Sequence, residues 1–112
     1  MSKEASLKIL NNIKKILSSS KECAENKGIL NCYERDIDFI KNSEARLNAD
    51  NKDDIQQVLE QMRNFSQSFG SYCSNLSLLD KMLDNLFNEL QNSLLEHTQK
   101  ISFCQKTSIT NM

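Results

Sequence analysis

Apolar residues recur along this chain at three- and four-residue spacings, in four runs separated by short polar stretches. The longest run covers residues 77–104, where Leu79, Met82, Leu83, Leu86, Leu90, Leu94 and Ile101 stack on one face of an α-helix. Asp80, Asp84, Asn85, Asn88, Gln91 and Asn92 fall between them. Such a helix is stable in water only when its apolar stripe is packed. The other three runs are therefore expected to cover it.

The first run carries Ile9, Ile13 and Ile16, widened by Leu10 and Leu17. Ser18, Ser19 and Ser20 then weaken the helix, because serine hydroxyls compete for backbone hydrogen bonds. They form either a break or a soft spot in a helix that continues through Cys23 and Ala24. Gly28 is its natural left-handed terminator. The second run, residues 30–47, stacks Leu30, Tyr33, Ile37, Ile40 and Leu47, with Glu34, Asp38 and Lys41 on the opposite ridge. The third, residues 51–69, stacks Ile55, Val58, Leu59, Met62, Phe65 and Phe69, with Asp53, Gln57, Glu60 and Asn64 outward. Asp50 or Asn51 is its expected N-cap, and Asp53 and Asp54 suit the positive end of its dipole. Gly70 ends it, and Ser77 with Asp80 imitates a capping box at the start of the fourth helix.

Four amphipathic segments joined by short connections imply antiparallel neighbours. The expected fold is all-α, an antiparallel four-helix bundle with a long C-terminal helix. It forms a single domain over residues 1–104, followed by a polar, frayed tail over residues 105–112. Composition agrees: with no proline and two glycines in 112 residues, the turns of a many-stranded β-fold are missing.

Charge and motif content exclude several functions. A formal net charge of −1 without a basic cluster argues against direct nucleic-acid binding. No segment approaches the roughly 20 apolar residues of a membrane span, and the amino end has no run of signal-peptide length. A cytoplasmic protein with reduced cysteines is expected. Cys23, Cys32, Cys73 and Cys104 are too widely spaced for paired zinc ligands. They read as small buried thiols, with Cys73, in a connection, the most accessible. No Glu-x-x-His pair of the di-metal bundles occurs, so neither metal nor cofactor is expected. His97 falls on the core stripe one turn beyond Leu94 and reads as a packing residue. No nucleophile, base and orienting residue assemble from sequence neighbours, so the chain is not expected to be an enzyme.

What remains is an acidic middle third. Glu34, Asp36 and Asp38, with Asp50, Asp53, Asp54 and Glu60, form either a solvated face or a docking surface for a basic partner, where complementary charge speeds association. Tyr72 beside Gly70 is a candidate aromatic contact, since tyrosine is enriched at interfaces. Leu78, Leu95 and Phe103 fall off the main stripe and suggest the rival reading, a helical adaptor that self-associates as a homodimer.

The bundle plan with an acidic face, and the run NFSQSFGSYCSNL over residues 64–76 that ends one helix before a leucine-rich one, resemble the all-helical immunity proteins of contact-dependent growth inhibition systems. The resemblance implies a protein that binds the toxic domain of a cognate inhibitor, often a nuclease, and occludes its active site. A nuclease is commonly basic because it binds nucleic acid, which suits an acidic immunity surface. No residue is transferred by position. The expected contacts Glu34, Asp38, Asp53, Asp54, Glu60 and Tyr72 rest on the helical-face argument.

Overall fold

The computed structural model describes the backbone of residues 2–65 and 68–110, and the side chains of residues 3–65 and 68–97. Its regular structure is helical throughout: α1 (Ser2–Ser19), α2 (Lys21–Asn26), α3 (Leu30–Ala49), α4 (Lys52–Arg63) and α5 (Leu76–Thr110). The serines at 18–20 are a true break. In a continuing helix the Ser20 amide would take the Ile16 carbonyl; instead the Ser19 and Ser20 hydroxyls donate to it at 2.8 and 3.0 Å. The Ser20 amide turns to Leu17 O. Gly28, at φ +71°, closes α2 with the paired bonds of a Schellman motif, Gly28 N to Glu25 O and Ile29 N to Ala24 O.

At the next junction Asp50 takes a left-handed conformation as the C-cap of α3, and Asn51 caps α4 by accepting the Asp54 amide at 2.9 Å. α4 stops at Arg63, earlier than its apolar period suggests. The amides of Asn64 and Phe65 tighten onto Gln61 and Met62, and the chain leaves the helix axis. The start of α5 also differs from expectation: Asn75, not Ser77, caps it by accepting the Leu78 amide at 3.3 Å. Helical backbone continues to Thr110, past Cys104 where the apolar period ends. The side chains of Ile101, Phe103 and Cys104 lie outside the described residues.

Among the described residues α1 packs against α3 and α5, and α4 also packs against α3 and α5, with no diagonal contact, so these four helices form a square. Their directions follow from the pairs that join them. Lys3 meets Asp50 while Lys14 meets Glu44, so α1 and α3 run oppositely. Arg46 meets Asp54 while Phe39 meets Phe65, which reverses α4 against α3. Leu10, Ile13, Leu17, Ile40, Leu47, Ile55, Val58, Leu59, Leu79, Leu86 and Leu90 fill the centre at 2 % exposure or less. Ser6, Ser43 and Ser93 are also buried, small side chains that an apolar pattern does not mark. His97 is not a core residue. Its imidazole is partly exposed, with Nε2 3.5 Å from Asp50, and forms an ion pair when protonated.

Gly70 makes the tightest demand on the connection between α4 and α5. It sits at φ +67°, and a Cβ there would collide with the buried side chain of Leu79, whereas Gly28 at a similar angle has open space. Gly28→Ala should therefore cost about 1 kcal/mol, the strain of the left-handed backbone alone. Gly70→Ala should cost at least about 2 kcal/mol, because the core must also shift. Urea denaturation of the two variants tests the ordering.

Candidate functional site

The α4–α5 connection is held by one side chain of α3. Asp36, 1 % exposed, is buried on a helix whose neighbours Arg35 and Asp38 face solvent. Its Oδ2 accepts the Gly70 amide at 2.9 Å and the Tyr72 hydroxyl at 3.0 Å. Hydrogen bonds to an ionised acceptor are the strong ones, and two of them offset the cost of burying the carboxylate. The other oxygen is held more loosely. Oδ1 receives the Arg35 guanidinium at 3.4 Å from both Nε and Nη2, the long end of hydrogen-bonding distance. Arg35, 57 % exposed, also donates to Ser68 Oγ at 3.2 Å.

This anchor decides the position of Tyr72. Expected as a surface contact, Tyr72 is fully buried; its ring packs edge-on to Tyr33 at 5.9 Å and its hydroxyl points inward to Asp36. Burial, then the Asp36 charge, pushes its phenol well above the usual tyrosine range. Cys73 is likewise interior rather than the accessible thiol. Burial raises its pKa, reinforced by Asp36, while the adjacent Ser20 hydroxyl pulls the other way. Cys23 is the exposed cysteine among those described.

Beside the anchor lies an open groove of about 480 Å³ between α3 and α4. Phe39, Phe65 and Phe69 line it: Phe65 and Phe69 stack at 4.2 Å, and Phe39 meets Phe65 edge-on at 4.6 Å. Asn42, Gln61 and Asn64 supply amides, and Arg35, Asp36 and Asp38 supply charge. The sequence identified Asp38 and placed Phe65 and Phe69 in the core, where Phe69 is buried while Phe65 is only partly so. Phe65 lies just past the end of α4 at Arg63 and keeps part of its ring open to the groove.

The other expected contacts are dispersed. Glu34 and Asp38 stand on the outer face of α3, and Asp53 on the first turn of α4, all exposed and unbonded among the described residues. Asp54 is committed to structure, bonded to Asn51 and to Arg46 Nη1 at 2.9 Å. Glu60, exposed, accepts from Gln56 at 3.4 Å. Leu78 and Leu95 are exposed, but seventeen residues separate them, roughly 25 Å along the helix and about 100° around it. They do not make one patch. Leu95 instead borders a second, shallower groove with Leu59, Arg63 and Gln91.

Among the described residues, no group of three or more His, Cys, Asp and Glu side chains converges as a metal site. No described helix is long and apolar enough to cross a membrane. The chain matches no known protein family, no curated protein and no solved structure.

The Tyr72 environment predicts an alkaline transition. Its folded pKa lies above the unfolded value near about 10, so the unfolded chain releases the proton first. The associated stability is intact below about pH 10 and is lost as pH rises. In a Tyr33→Phe variant, which leaves Tyr72 as the sole tyrosine, phenolate absorbance should appear only together with unfolding. Phenolate absorbance in a still-folded protein would contradict this environment.

Proposed function

We propose that this chain is a non-enzymatic binding protein, an immunity protein that neutralises a basic toxin domain of the nuclease type by covering its active site. The observation that carries the reading is the outer face of α3 and α4. Glu34 and Asp38 are exposed and bonded to nothing among the described residues, and Asp38 borders a groove whose lining includes three phenylalanine rings. Carboxylates without internal partners are available to steer a basic partner, and an apolar groove beside them supplies contact area once it docks. Asp54 is withdrawn from the contact set, since its carboxylate is occupied by Arg46 and Asn51. Tyr72 is withdrawn because it is buried.

The cognate toxin is sought as the variable carboxyl-terminal domain of a secreted protein encoded beside this one. Co-expression should protect cells from that domain. Glu34→Lys with Asp38→Lys should slow association at least about tenfold at low salt and flatten its salt dependence, with thermal stability unchanged because both side chains are exposed. Unchanged association in the double variant would remove the acidic face from the account, and absence of protection would remove the immunity reading.

A further inference from the structure

The groove contains an arrangement that a merely solvated face does not need. Asp36 lines it, almost wholly buried, yet its Oδ1 is covered only by the long contacts of Arg35. That guanidinium is more than half exposed and is shared with Ser68. The carboxylate is therefore satisfied on the Gly70–Tyr72 side by short bonds and on the groove side by a displaceable one. Asp38 lines the same groove, as do the Phe39, Phe65 and Phe69 rings. A planar cation suits this space, because guanidinium binds a carboxylate by paired hydrogen bonds and stacks on ring faces, and a second carboxylate on the lining adds attraction. The groove volume of about 480 Å³ leaves room for an apolar side chain alongside.

We propose that the α3–α4 groove is a receptor for an arginine side chain carried next to an aromatic residue on a basic protein partner, and that Arg35 occupies the guanidinium position in the free protein. This deepens the basic-partner reading and rests on it. On docking, the partner's guanidinium takes Asp36 Oδ1 with Asp38 adding attraction from the lining, Arg35 swings outward, and the partner's ring packs against Phe39 and Phe65. Arg35 is then a gate that favours partners able to replace its charge. A partner offering a neutral or acidic side chain would leave the Asp36 carboxylate buried without a counter-charge, which is strongly unfavourable.

The probe is acetyl-arginyl-phenylalanine amide, titrated into the full chain while the ring resonances of Phe39, Phe65 and Phe69 are followed by NMR. Saturable shifts are expected, weakened at least about tenfold when citrulline replaces arginine, and weakened similarly by Asp38→Lys. Arg35→Ala should tighten binding at least about threefold, whereas Lys41→Ala, which removes the same charge from the exposed outer ridge of α3, should have a smaller effect. Equal binding of the citrulline peptide, or equal gains from Arg35→Ala and Lys41→Ala, overturns the proposal. Shifts confined to the backbone of Glu34 and Asp38 also overturn it, while leaving the acidic docking face standing. Ring signals that move with protein concentration before peptide is added would place a second copy in the groove and overturn it too.

Discussion

The structure depends on one buried carboxylate. Asp36 sits on α3 where the helical period already turns inward, and an ionised group there needs compensation from its surroundings. The compensation comes from a segment more than thirty residues away: the Gly70 amide and the Tyr72 hydroxyl both bond to one oxygen. Everything distinctive about the connection between α4 and α5 follows. Gly70 must be glycine because the turn that presents its amide has a positive φ and lies against Leu79. Tyr72 is interior because its hydroxyl has a partner inside. Cys73 follows it into the core and is sealed against Ser20, at the break between α1 and α2.

The same constraint shapes the surface. Asp36 draws the connection toward α3, α4 ends at Arg63, and Phe65 and Phe69 stack together beside Phe39. A helix carried on to Phe69 would have directed both rings into the bundle centre, as their spacing suggests. In the structure Phe69 is buried, Phe65 is partly open, and both line a groove with Asp38 and Arg35. A device that stabilises a loop thus creates a concave aromatic site between two helices, a common setting for recognition.

Much of the architecture was legible in the chain. The stripe Leu79, Leu86 and Leu90, the α4 set Ile55, Val58 and Leu59, and the terminator Gly28 all do what their spacing and chemistry dictate. Periodicity reports burial of apolar residues faithfully, because packing is what stabilises these helices. It is silent about buried polar groups, so Asp36 was indistinguishable from Glu34 and Asp38 on either side. It is equally silent about a loop whose path is set by a distant acceptor, which is why Tyr72 and Cys73 looked exposed. The signal that existed was positional: Asp36 lies between Tyr33 and Ile40 on the inward side of α3, where an aspartate needs a partner. His97 was similarly ambiguous, since the Asp50 carboxylate beside its imidazole comes from the far end of α3, a placement its own spacing does not report.

The central claim is that the Asp36 carboxylate and the Tyr72 hydroxyl act as one unit that fixes the connection. A double-mutant cycle with Asp36→Asn and Tyr72→Phe, measured by urea denaturation, tests it most directly. The account predicts a coupling of about 1.5–3 kcal/mol, the range for a hydrogen bond to a charged group. Losses that add to within about 0.5 kcal/mol would show that the two residues contribute independently and would contradict it.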